Sequence, residues 1–383
     1  MYPLQRKYLS SRMQACRTLP YVAIIPVLLG ARLFAADPDL TTLEPRLTKI
    51  VSAARGQVGV SLFHVESGAR LFSFNGRQPF AMASVYKLPI AFELLTQIAE
   101  HRLTLDQTVA VGPSDIRACC TLSRRHPKGG ITITLRDLLE LMITESDNTA
   151  GDALLKVVGG PLAVDRHLSA LGFTGIHVNR SEGAIAFEMM GVAAPPPESA
   201  WTLDVQRELI DKVPLHDLLA ARARYTTDVR DTATPDDMAA FLLKLQRGEL
   251  LPPPYTALLL DLLARVKTGP HRLKGRLPPD TVVAHKTGST AVVINDVGII
   301  TLPGSTVDTV DLVDNVDSGN NFSTAGHLAL AVFVMNGGRA GAMERVISDI
   351  GAAVYESFTG MTLPPPAKPA RRTAVKKRPS PRL

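Results

Sequence analysis

Three short runs constrain this 383-residue chain more than anything else in it: Ser84-Val85-Tyr86-Lys87, Ser146-Asp147-Asn148 and Lys286-Thr287-Gly288. Each alone is common in a chain of this length. In this order, 62 and 140 residues apart, they describe one site built from three distant segments. The site has a serine with a lysine one helical turn away, a second hydroxyl, and a second lysine on a strand. Those groups suit an enzyme that opens an amide through an acyl-enzyme.

The physical case rests on spacing. Residues three apart share a helix face, so the Lys87 ammonium can approach the Ser84 hydroxyl. The helix N-terminus favours negative charge developing on Ser84. A Lys87 neutralised by burial and nearby positive charge can take the hydroxyl proton. The bland alternative is a solvated helix face. Ser146, Asp147 and Asn148 are ordinary helix caps, but a cap at a sharp junction can also present side chains to a cleft. In Lys286-Thr287-Gly288-Ser289 an amino group and two hydroxyls suit a substrate carboxylate, and Gly288 permits close backbone approach. The bland reading there is an edge strand with a protective lysine.

Charge excludes one class of function. The formal +6 comes from five basic residues in the first 36 and seven in the last 21, with no acid in either stretch, so residues 37–362 carry −6. A mildly acidic folded part argues against nucleic-acid binding. A basic start, an apolar run from Leu19 to Gly30 and Ala35-Ala36 read as an export signal over residues 1–36. The run is too short for a permanent membrane span. A secreted or periplasmic location is expected. Cys119 and Cys120 remain after cleavage and are expected as two partly buried thiols, since a ring joining neighbours is strained. No His, Cys and Asp spacing suits zinc, so no metal or cofactor is expected.

Helical spacing runs from Leu43 to Ala54, and strands are expected at 57–63 and 70–74. Helices follow from Ser84, from Thr134, and from Asp147 to Val158, with a shorter one at 165–171; residues 184–230 are less regular, and 205–223 is weakly amphipathic. Thr234-Pro235 and Pro254 open two more. Strands are expected at 282–287, 292–301 and 328–335, then a closing helix over 343–358. Residues 363–383 are Pro, Lys and Arg-rich and expected to be disordered. This order suggests an α+β protein: residues 37–82 and 266–362 form one discontinuous domain, and 83–265 an inserted all-helical one.

These motifs resemble the class A β-lactamases, serine hydrolases related to penicillin-binding D,D-peptidases. The resemblance covers roughly Asp37 to Gly360 apart from two insertions. Phe80-x-Met82-Ala83-Ser84-Val85-Tyr86-Lys87-Leu88-Pro89 is similar to the family's nucleophile helix, and Glu145-Ser146-Asp147-Asn148-Thr149-Ala150 to its second element. Arg230-Asp231-Thr232-Ala233-Thr234-Pro235 resembles the end of its Ω loop, and Asn295-Asp296-Val297-Gly298 the strand after Lys-Thr-Gly. The resemblance implies a five-stranded, mainly antiparallel sheet flanked by helices, with the active site between it and the helical insertion.

It also implies roles. Ser84 is the nucleophile, Lys87 assists proton transfer, and Ser146 passes a proton to the lactam nitrogen with Lys286 tuning it. Asn148 binds the substrate's acylamide. Thr287, Gly288 and Ser289 meet the substrate, with Arg272 adding charge for its carboxylate. The backbone N–H groups of Ser84 and Ser289 form the oxyanion hole. Glu182, 36 residues beyond Ser146, is the expected base for deacylation, with Glu188 a rival. Arg180 and Asp231 are expected to pair across the loop's ends.

Two departures stand out. Residues 180–231 span 52 positions, far more than the family norm, and Ala186 stands where the family usually has a water-holding asparagine. The chain is expected to be a monomeric β-lactam hydrolase. A D,D-peptidase or slow penicillin binder is the nearest alternative. More remote is an envelope-binding module whose basic tail touches anionic polymer. The second insertion, between Thr301 and Leu328, repeats Asp every third residue from Asp308 to Asp317. That spacing does not suit a calcium loop and reads as a solvated excursion.

Overall fold

A computed structural model describes residues 39–305 and 325–365. The expected export signal, the aspartate repeat and nearly all of the basic tail lie outside the described residues. The described chain belongs to one compact unit.

The chain opens with α1 (Leu43–Ala53), β1 (Gln57–His64), β2 (Arg70–Phe74) and β3 (Phe80–Ala81). A single 3-10 turn, Ala83–Tyr86, leads directly into α2 (Lys87–Ala99). Next come β4 (Thr108–Val111), α3 (Cys120–Arg125), β5 (Ile131–Thr134), α4 (Leu135–Thr144), α5 (Asn148–Val157) and α6 (Pro161–Ala170). The long segment holds α7 (Glu182–Met190), α8 (Leu203–Asp211) and α9 (Leu215–Tyr225). After it run β6 (Thr232–Ala233), α10 (Pro235–Gln246), α11 (Pro253–Ala264), β7 (Val283–Ser289), β8 (Val293–Thr301), β9 (His327–Met335) and α12 (Ala340–Thr359).

Five strands form one antiparallel sheet in the order β2-β1-β9-β8-β7. The α+β class and the five-stranded sheet are as the sequence implied. The central strand β9 is buried at every position, and its residues divide by parity. Leu328, Leu330, Val332 and Val334 enter a core with α1 and α12. Ala329, Ala331, Phe333 and Met335 enter the other core, with α2, α4, α10 and α11. Alanines on that side let α10 approach closely. So does Gly59 on β1, where a Cβ would fall 2.7 Å from Pro235 Cγ at the start of α10.

The middle of the chain is not purely helical. It also holds a β4–β5 ladder, and β6 pairs with β3. Residues 184–230, irregular in sequence, fold as three helices around a small core of Phe187, Val192 and Trp201. The Trp201 indole donates to Pro196 O at 2.7 Å, and Gln206 Nε2 donates to Ile116 O at 2.6 Å, docking the segment on the loop before α3. No clear apolar stripe marked these helices: α7 is apolar on nearly every side and α8 has one buried position, so contacts between helices hold them.

Candidate active site

The nucleophile turn is fixed by backbone geometry. Ala83 has φ 46°, a conformation that L-residues rarely adopt, and holds Ser84 at the entry of α2. Asn295 on β8 donates to Ala81 O at 2.9 Å and Met82 O at 3.0 Å, and accepts from Val334 N–H at 3.2 Å. One amide thus ties the turn to the sheet. Gly288 on β7 passes so close that a Cβ would meet Met82 O at 2.3 Å.

Ser146 sits at the α4–α5 junction with φ 59°. Asp147 makes that junction: Oδ1 accepts from Ala150 N–H at 3.0 Å, capping α5, and Oδ2 accepts from Leu122 N–H at 2.8 Å. The cap and the outward-turned Ser146 are therefore parts of one device.

Lys87 is the hub. Its fully buried Nζ donates to Ser84 Oγ at 3.2 Å, Ser146 O at 2.8 Å and Asn148 Oδ1 at 2.6 Å, and lies 3.9 Å from Glu182 Oε2. Lys286, also fully buried, donates to Ser146 Oγ at 2.9 Å and Thr287 O at 3.0 Å. Burial lowers the pKa of Lys87, while Glu182, Asp147 and Asp152 pull it back up. Burial lowers Lys286 further, and the Lys87 charge adds to that effect. Both amines are thus biased toward the neutral form.

Glu182 begins α7, capped by Ser181 Oγ, which accepts from Ala184 N–H at 3.2 Å. Arg180 Nε donates to Asp231 Oδ2 at 2.6 Å, and Asp231 Oδ1 accepts from the Asn179 and Arg180 N–H groups. Glu188 is instead engaged by Arg180 at 2.5 Å and Arg230 at 2.7 Å, in the clasp that closes the long segment. Arg272 is 5% exposed and donates to Ser289 Oγ at 2.6 Å, Asn295 O at 2.9 Å and Gly288 O at 3.1 Å. Its Nε also pairs with Glu344 at 3.3 Å. Thr287 Oγ1 bonds the Thr268 hydroxyl.

Three features went unread in the sequence. Asp152 accepts from Glu182 N–H, and Arg117 Nε from the far side donates to it at 2.6 Å. Thr268 partners Thr287 without any motif to mark it. Cys119 and Cys120, expected as separate thiols, are joined in a disulfide. Backbone turns at φ 151° and 75° bring the two side chains together, a conformation that residue identity alone does not signal. Cys120 Sγ lies 3.7 Å from Ser146 O, at the edge of the site.

A serine beside a buried amine that also faces a carboxylate, with a second hydroxyl bridged to a second buried amine, defines a serine acyl-transfer enzyme on an α+β scaffold. The comparisons narrow this. The model of the β-lactamase enzyme family matches residues 42–358. The chain is 29% identical over 278 residues to β-lactamase VEB-1 of Pseudomonas aeruginosa, covering 70% of this chain and 80% of that one. It is 30% identical over 255 residues to a β-lactamase of Amycolatopsis lactamdurans, covering 67% and 71%. A reconstructed ancestral class A β-lactamase superposes with a TM-score of 0.63 at 26% identity, covering 82% of this chain and 99% of that one. The chain belongs to the β-lactamase enzyme family, as a class A serine β-lactamase.

Proposed function

We propose that the protein is an exported enzyme that hydrolyses the β-lactam amide through an acyl-enzyme on Ser84, deacylated by water that Glu182 activates. The observation carrying this reading is the position of Lys87 Nζ, 3.2 Å from Ser84 Oγ and 3.9 Å from Glu182. Lys87, in its neutral form, takes the Ser84 proton as Oγ attacks the lactam carbonyl. The backbone N–H groups of Ser84 and Ser289 stabilise the oxyanion. As the C–N bond breaks, the ring nitrogen receives the Ser146 hydroxyl proton, and Ser146 is reprotonated through the amines 2.9 and 3.5 Å from its Oγ. Asn148 orients the acylamide. Thr287, Gly288 and Ser289 receive the substrate carboxylate, with the Arg272 charge reaching it through Ser289.

In the second half, Glu182 takes a proton from water, whose oxygen attacks the ester, and the proton returns to Ser84 Oγ as it leaves. Export rests on residues 1–36, and N-terminal sequencing of protein recovered outside the cytoplasm tests it by a start near Asp37. Absence of a polar side chain at Ala186 favours one second reading, a slow enzyme that accumulates acyl adduct.

Mass spectra recorded over time with benzylpenicillin, beside the hydrolysis rate, test the whole scheme. A transient adduct on Ser84 that becomes long-lived in Glu182→Gln, with turnover falling roughly 10²–10⁴-fold, is expected. A persistent adduct in the unaltered enzyme would establish the slow binder instead. No adduct and no hydrolysis would reject both.

A further inference from the structure

Two tyrosine hydroxyls that interact with the Glu182 charge are buried, and neither makes a well-formed hydrogen bond with the protein. Tyr86 lies between Ser84 and Lys87 and is fully buried. Tyr225 ends α9, on the long segment, and is 5% exposed. Both Oη atoms are sealed from solvent and unpartnered. Tyr86 interacts with the Glu182 carboxylate, and Tyr225 with the charges of Glu182 and Asp231 and with the Ala83 backbone N–H. Burial first, then these carboxylates, hold both phenols in the proton-bearing form.

A buried hydroxyl without a partner is unfavourable, and in native proteins such groups are met by another polar group or a water. Here the two come from opposite sides, one from the nucleophile turn and one from the inserted helices. Both feel the Glu182 carboxylate, whose neighbour on the same helix, Ala186, carries only a methyl group.

We propose that Tyr86 and Tyr225 position Glu182 and the water it activates, the task for which Ala186 has no polar atom. Tyr86 O–H donates to one Glu182 oxygen and fixes the carboxylate. Tyr225 Oη accepts a hydrogen bond from the water. The other water proton passes to Glu182, and a lone pair faces the Ser84 ester. Both tyrosines are positioning residues, and no covalent bond to either forms. The inference rests on the reading of Glu182 as deacylating base.

The test uses the full chain with Tyr86→Phe, Tyr225→Phe and both together. Quenched-flow mass spectrometry with benzylpenicillin separates acylation from deacylation. Acylation within about twofold of the unaltered enzyme and deacylation slowed about tenfold per tyrosine are expected, from the ordinary worth of one hydrogen bond. kcat and KM then fall together while kcat/KM holds. Ala186→Asn added to Tyr225→Phe is expected to restore deacylation. Unchanged deacylation in the double variant overturns the inference, as does a matched loss of both steps with a lowered Tm. Glu182→Gln separates the two readings. If it traps the adduct while the tyrosine variants turn over normally, only the tyrosine inference falls. If it deacylates at the unaltered rate, the Glu182 reading fails and takes this one with it.

Discussion

The Asp152 carboxylate holds Glu182 by its backbone: Oδ1 accepts the Glu182 N–H at 2.6 Å, and Oδ2 accepts the Gly183 N–H at 3.1 Å. A helix start normally leaves such N–H groups unpaired, so one buried carboxylate on α5 satisfies two of them and sets where α7 begins. Arg117 Nε then neutralises the same carboxylate, and its guanidinium lies 5.3 Å from the Trp201 ring centroid.

Asp152→Ala takes from Arg117 its buried carboxylate, leaving it Glu198 at 2.8 Å, and strands both amides in the interior. A loss of about 3–5 kcal/mol is expected for breaking such a buried pair. Urea unfolding gives that number. Among molecules still folded, deacylation is expected to suffer more than acylation, because Glu182 moves and Ser84 does not. Equal losses in both steps would show that the α7 start does not set the Glu182 position.

Asp231→Ala removes the buried partner of Arg180, leaving it Glu188 and Asp228, and the acceptor for two amides. Faster hydrogen exchange and proteolysis confined to residues 180–231 are expected, with the sheet protected as before. Uniform loss of protection across β9 would instead mean that the segment folds as one unit with the core.

Gly288→Ala places a methyl carbon 2.3 Å from the Met82 carbonyl oxygen, a backbone atom that cannot swing aside. The nucleophile turn must shift by about an ångström, and acylation is expected to fall about 100-fold. The pre-steady-state acylation rate measures this directly, and a change under threefold would contradict it.

Stability is expected to rise with pH on the alkaline side. The folded protein depresses the Lys286 pKa well below its unfolded value of 10.5. Between the two values the unfolded chain holds a proton that the folded one has released, so the folding free energy grows through that window. Below the folded pKa the burial penalty is present in full. Lys286→Met removes the effect, so its stability-versus-pH curve is expected to be flatter from neutral pH to 10.5. Parallel curves for the two proteins would refute the assignment.

How much of this was legible beforehand follows a physical line. Lys87 reaches Ser84 because of local helical spacing, and Thr134 caps α4 by accepting from Asp137 N–H at 3.1 Å, as the sequence suggests. β9 reads as a strand covered on both faces because its apolar run is continuous. Asp152, Thr268 and Arg117 were illegible because their partners are 19 to 35 residues distant and their roles are defined only by burial. α8 carries a single fully buried residue, Gln206, so no apolar stripe announces it. The Cys119–Cys120 bond depends on two unusual backbone angles that no side chain advertises.

The Arg180–Asp231 clasp turns the 52-residue segment into a closed ring hung from two fixed points. Polymer statistics charge such a ring by the logarithm of its length, about 0.6 kcal/mol for each doubling. Residues added between the clasp points therefore perturb the anchored ends very little. Length at this place is close to a free variable for folding, and here the added chain is filled by a small core around Trp201.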